Sequence, residues 1–130
     1  MKAPRIMLAA GRSGSGKTMI TCGLLRALQQ MGKQPAAFKC GPDYIDPMFH
    51  KEVLGVDSKN LDLFFSSEDE LRKEYAKHAA DAELVITEGV MGYYDGMRLD
   101  SVTASSYDVA RTLDIPAVLI LPCKGAALSL

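Results

Sequence analysis

The sequence lacks any cysteine pattern. Its three cysteines, Cys22, Cys40 and Cys123, are odd in number and far apart. That excludes a disulfide framework and a CxxC metal site, and it fits a reducing cytoplasm. Charge of one sign is also missing. Fifteen Lys and Arg against sixteen Asp and Glu leave a formal net charge of −1. Neither a basic surface for nucleic acid nor a polybasic run for an anionic membrane is expected. No apolar stretch is long enough to span a bilayer. The run 6–10 is too short for a signal h-region and leads straight into a glycine-rich loop, so it reads as a buried strand. Repeats, low-complexity tracts and linkers are absent too. What is present is a chain of 130 residues, 48% hydrophobic and 24% charged. That suits one domain, large enough to bury a core without disulfides or a structural metal.

Hydrophobic spacing divides the chain into alternating elements. Residues 5–10 form a short apolar run ending in glycine, as a central parallel strand does. From Lys17 the period becomes helical. Ile20, Leu24, Ala27, Leu28 and Met31 make one apolar stripe, Gly32 is the C′ residue, and Pro35 follows. Residues 36–40 read as a second strand, running into GPDYIDP (41–47), a loop of turn formers. Residues 48–64 carry apolar positions without a clean period and read as short helix and loop. Ser67 and Glu70 stand as N-cap and N3 of a capping box. The helix they open reaches about Ala80, with Leu71, Tyr75 and His78 or Ala79 on one side. ELVIT (83–87) is a third strand, 104–113 a helix, and PAVLIL (116–121) a fourth strand.

This alternation predicts an α/β fold, a mainly parallel sheet flanked by helices. Each candidate loop follows a strand, at the carboxyl edge where open sheets bind ligands. Four parallel strands leave a bare edge. The expectation is an incomplete domain, the front part of a longer protein, or an edge covered by a partner.

The chemistry is concentrated in the loops. GRSGSGKT (11–18) fits G-x-x-x-x-G-K-[ST] at every fixed position, between an apolar strand and an amphipathic helix. Gly11, Gly14 and Gly16 let the backbone curl around a triphosphate, with Ser13 and Ser15 between them. The helix start adds its positive end. Lys17 is placed to reach the β- and γ-phosphates of ATP, and Thr18 to ligate magnesium. Magnesium takes hard oxygen ligands. Glu88 follows the strand ELVIT, where a Walker-B-type acid is expected, and Asp43 and Asp46 lie in the 41–47 loop. Lys39 precedes that loop and is a candidate for neutralising phosphate or a substrate carboxylate. Tyr93, Tyr94 and Asp95 lie among the glycines of 89–96 and are candidates for a substrate wall. His50 is placed near the substrate loop, and His78 reads as solvated or packed. Cys22 reads as core, and neither Cys40 nor Cys123 reads as a nucleophile.

Taken together, GRSGSGKT, FKCGPDYIDPMFH (38–50), NLDLFF (60–65) and EGVMGYYDG (88–96) closely resemble the amino-terminal part of the cobyrinate a,c-diamide synthase family. The tail ASSYDVARTLDIPAVLILPCKGAALSL is similar as well, so the resemblance covers nearly the whole chain. It implies a P-loop NTPase domain similar to dethiobiotin synthetase and, more distantly, to MinD/ParA-type ATPases. It also implies ATP- and magnesium-dependent amidation of a corrinoid, with the a and c acetates activated as acyl phosphates. Lys17, Thr18, Glu88, Asp43 and Asp46 match the family's phosphate and metal positions; Tyr44 and Ile45 fall where its loop approaches the macrocycle. The family draws ammonia from glutamine through a glutaminase domain that nothing in these residues matches.

Two positions depart from that pattern. Arg12 stands where MinD/ParA-type loops carry a signature lysine and reads as solvated; Tyr93 is often leucine in the family. Other readings stay open: the same chemistry on another tetrapyrrole acid such as Ni-sirohydrochlorin, a MinD/ParA-like switch that dimerises on ATP, or a fragment that only binds nucleotide. A homodimer is an open assembly.

Overall fold

The computed structural model describes residues 3–41 and 45–128, with backbone alone over 45–49. In chain order the elements are β1 (Arg5–Ala10), α1 (Lys17–Gln30), β2 (Pro35–Cys40), α2 (Ile45–Leu54), β3 (Ser58–Leu61), α3 (Glu68–Ala79), β4 (Leu84–Glu88), α4 (Ser106–Leu113) and β5 (Ala117–Ile120). The strands make one sheet of order β3-β2-β4-β1-β5, with every pairing parallel. The expected α/β class is therefore observed, with five strands in place of four.

Side chains alternate between the two faces along each strand, and the helices fall into two layers over those faces. Leu8, Ala37 and Ile86 point to one face, where Leu25 of α1, Leu54 of α2 and Val56 cover them. Met7, Ala9, Phe38, Cys40 and Val85 point to the other, under Leu71 and Tyr75 of α3 and Val109, Ala110 and Leu113 of α4. Phe38 stacks on Tyr75 at 4.8 Å and meets the edge of His78 at 4.9 Å, so His78 is a packing residue. The chain leaves β1 toward β2 and leaves β4 toward β5, in opposite directions across the sheet. The helices that follow β1 and β4, α1 and α4, lie on opposite faces of the sheet, which opens a crevice at the carboxyl ends of the two strands, the ligand edge of such sheets.

Several boundaries differ from the sequence expectation, each for a physical reason. The strand β3 reads SKNL, and only Leu61 is buried; an edge strand this short and polar carries no period. The loop expected over 41–47 gives way to α2 at Ile45. Pro47 falls in the first turn, where its missing N–H costs no helix bond. On α1 the buried line is Lys17, Thr21 and Leu25. Leu24 and Leu28 are half-buried, while Ile20, Ala27 and Met31 face outward. The sheet-facing row starts from the loop lysine, so the expected stripe is rotated off it. The helix begins at Ser106, not 104, because Ala104 takes φ 64. The bare edge lies at β5, where Val118 and Leu119 are 48% and 50% exposed on opposite faces.

Helix ends follow local chemistry. Gly32, at φ 80, closes α1 in a Schellman arrangement, with Lys33 N–H donating to Leu28 O and Gly32 N–H to Gln29 O. Ser67 caps α3 by accepting from Glu70 N–H at 3.2 Å. Ser105 caps α4 by accepting from Asp108 N–H at 3.1 Å, and Asp108 accepts in turn from Ala104 N–H at 2.9 Å. Ser105 is fully buried. Ser105→Ala is therefore expected to cost about 1–2 kcal/mol, read as a lower urea midpoint with an unchanged slope. Among the described residues no helix is long and apolar enough to cross a membrane.

Candidate functional site

The phosphate loop 11–18 joins β1 to α1. Gly14 and Gly16 lie at φ 75 and 87, in the left-handed region, and a Cβ on either would meet nothing within 4 Å. Backbone conformation, not crowding, calls for glycine there. Ser15 Oγ donates to Arg12 O at 3.0 Å and closes the loop on itself. Gly11, Arg12, Ser13, Gly14 and Thr18 are exposed. Lys17 is 7% exposed, and its ammonium donates to Arg12 O at 3.2 Å and to Met91 O at 2.7 Å. Burial and the neighbouring Lys39 ammonium pull its pKa below that of an ordinary lysine, while Glu88 and Asp95 act the other way.

Glu88 ends β4 and faces Leu8 on β1 and Lys39 on β2 in register. Register partners in a parallel sheet point to the same face, so this carboxylate stands between the phosphate-loop strand and the lysine strand. Lys39 and Glu88 form a buried ion pair, with side-chain exposures of 6% and 0%. Lys39 also donates to Gly89 O at 3.4 Å. Among the described residues Glu88 Oε1 has no hydrogen-bond partner. A buried carboxylate oxygen without a partner is costly, so the atom suits a cation or a bound donor. Among the described residues no three His, Cys, Asp or Glu side chains cluster as a metal site. A nucleotide-bound magnesium needs only one or two protein oxygens, the rest coming from phosphate and water.

The 89–96 loop is laid against the phosphate loop. Gly89 N–H donates to Leu8 O and Tyr93 N–H to Ala10 O, each at 2.7 Å. A Cβ on Gly92 would lie 2.6 Å from Gly11 O, so the two loops touch backbone to backbone. Asp95 accepts from Gly92 N–H at 2.9 Å. Tyr93, Tyr94 and Tyr107 form a cluster with centroids 4.9–5.8 Å apart, and Tyr94 is 60% exposed.

Of the residues singled out from the sequence, the structure gathers Lys17, Lys39, Glu88, Tyr93 and Asp95 around the ends of β1, β2 and β4. Asp43 and Tyr44 lie outside the described residues. Ile45 and Asp46 open α2, and their side chains also lie outside them. His50 is fully buried, its Nδ1 3.1 Å from Ser58 Oγ, and so ties α2 to β3. Cys40 is buried, and burial pushes its thiol up to about 12, which keeps it protonated and unreactive. Cys22 is half-buried and Cys123 exposed. Arg12 is exposed, as read.

The sequence reading missed Ser106 and Tyr107. Ser106 Oγ accepts from Val90 N–H at 2.9 Å and donates to Val90 O at 3.2 Å, pinning the loop that leaves β4. The serine pair before an Asp at a helix start was the available signal. Two cavities, of about 640 and 430 Å³, are lined by Arg5, Tyr75 and Leu113 and by Gln29, Pro35 and Asp57. Both open near the amino ends of strands, away from the phosphate loop.

A glycine-curled loop between a central strand and a helix, with a lysine at the helix start and an acid ending the next strand, defines a P-loop nucleotide-binding domain. Residues 6–119 match the family profile described as the CobQ/CobB/MinD/ParA nucleotide binding domain, and the chain belongs to that family. It is 42% identical over 125 residues to a cobyrinate a,c-diamide synthase of Synechococcus sp., covering 96% of this chain and 27% of that protein. It is 43% identical over 126 residues to a hydrogenobyrinate a,c-diamide synthase of Agrobacterium fabrum, covering 96% and 29%. A cobyrinate a,c-diamide synthase of Picrophilus torridus is 41% identical over 128 residues, covering 98% and 29%. The chain thus spans under a third of the length of these relatives.

Proposed function

We propose that this chain is the ATP-binding, carboxylate-activating part of a corrinoid a,c-diamide synthase in cobalamin biosynthesis. The a and c acetates of cobyrinate, or of a related tetrapyrrole acid, are the acceptors. The observation that carries this reading is Glu88. It is a buried acid with one oxygen unpartnered among the described residues, on the strand beside the phosphate loop.

A carboxylate resists ammonia because its oxygen is a poor leaving group. Transfer of the γ-phosphoryl of ATP to a carboxylate oxygen breaks the β–γ bridge and yields ADP and an acyl phosphate. The nitrogen lone pair of ammonia then attacks the acyl carbon, phosphate departs with the C–O electron pair, and the nitrogen loses a proton. Residues 11–18 hold the triphosphate, with Lys17 on its terminal phosphates. Thr18, Glu88, Asp43 and Asp46 are the oxygens assigned to magnesium, which neutralises phosphate charge when bound. Lys39 fixes Glu88. Tyr44, Ile45, Tyr93 and Asp95 are assigned to the acceptor. Ammonia comes from a glutaminase domain or from solution.

The test is incubation of the chain with cobyrinate, Mg–ATP and ammonium chloride, read by mass spectrometry. ATP-dependent amide is expected. Dimerisation on ATP, with no amide on cobyrinate or Ni-sirohydrochlorin, would point instead to a MinD/ParA-like switch.

A further inference from the structure

An ammonium group has three N–H donors. In this structure Lys17 gives two of them to Arg12 O and Met91 O. Contact with the β- and γ-phosphates takes two donors. Three donors cannot serve four acceptors singly, so one carbonyl has to be given up. Arg12 belongs to the phosphate loop and travels with the lysine. Met91 belongs to the loop after β4, so its carbonyl does not travel with the lysine. The Met91 carbonyl is the partner with reason to leave.

That carbonyl shares one rigid peptide plane with the N–H of Gly92. The N–H donates to Asp95 Oδ2 at 2.9 Å. Lys17 and Asp95 therefore hold opposite ends of a single peptide unit. Glycine at 92 leaves that unit free to turn. A Cβ there would lie 2.6 Å from both Asp95 Oδ2 and Gly11 O.

We propose that the Met91–Gly92 peptide couples the nucleotide to the acceptor loop. When phosphate draws Lys17 away from Met91 O, the peptide turns, and Asp95 is released from Gly92 N–H. Tyr93 stays anchored through its bond to Ala10 O, so the change falls on the Asp95 carboxylate and not on the whole loop. By linkage, an acceptor that engages Asp95 tightens ATP binding by the same factor as ATP tightens binding of the acceptor. The inference rests on the reading that Lys17 takes the phosphates.

The experiment is NMR-detected exchange of the Gly92 amide, with amides of α3 as the internal reference. Saturating magnesium and a non-hydrolysable ATP analogue are expected to change Gly92 exchange at least fivefold and leave α3 unchanged. Lys17→Met without nucleotide is expected to speed Gly92 exchange by a similar factor, since the carbonyl loses its donor. Binding of the analogue with Gly92 exchange unchanged overturns the coupling and leaves the nucleotide site standing. No binding of the analogue overturns both. The wild-type arm decides the matter even if the variant fails to fold.

Discussion

Replacing Lys17 with alanine is expected to weaken ATP binding by about a hundredfold or more while leaving the fold intact. Two charge-assisted hydrogen bonds to phosphate are worth about 1.5–3 kcal/mol each, and about 1.4 kcal/mol is tenfold in affinity. Among the described residues no uncommitted cation stands beside Lys17 to replace the charge. Lys39 is held by Glu88, and Arg12 lies on the exposed rim of the loop. Stability should move little, and the sign can be argued. The lysine's pKa is lowered by burial and by Lys39, so the folded chain tolerates this ammonium at a cost. Removing it relieves that repulsion and offsets the loss of two main-chain contacts. Calorimetric titration with Mg–ATP gives the affinity, and urea unfolding gives the stability. Wild-type affinity in the variant would remove Lys17 from the site.

Much of this arrangement was legible in the sequence, because the informative signals are local. The phosphate loop is a contiguous pattern whose glycines answer to backbone conformation, and two of them take the left-handed region. Glu88 was legible because an apolar strand ending in an acid is a local feature. Its pairing with Lys39 was not, since it depends on β4 inserting between β1 and β2, an order that no periodicity encodes. The same blindness hid β3, whose SKNL is defined by the strand beside it and not by its own residues. It also hid Ser106, which acts through a loop residue 16 positions away. The misplaced stripe on α1 has a different origin. Its outward side carries apolar residues too, with Met19 at 81% exposure and the C-cap Met31 at 70%, so hydrophobicity alone could not mark the inner row.

Breaking the Lys39–Glu88 pair from one side is the largest stability change expected. Both side chains are buried, and they meet across neighbouring strands at the centre of the sheet. Lys39→Met strands the Glu88 carboxylate and should cost about 3–5 kcal/mol, the usual penalty for an uncompensated buried charge. Glu88→Met should destabilise as well, though less, because the Lys39 ammonium keeps its bond to Gly89 O. The double variant Lys39→Met/Glu88→Met removes both charges. It should regain most of that loss, because desolvating an ion pair consumes much of its attraction. Urea unfolding of the two single variants and the double isolates the coupling. Single-variant losses below about 1 kcal/mol would mean that water reaches the pair. Amidation separates structure from chemistry in the same set: the double variant, though stable, is expected to remain inactive. A stable double variant that still forms amide would leave Glu88 a structural acid and take the metal role away from it.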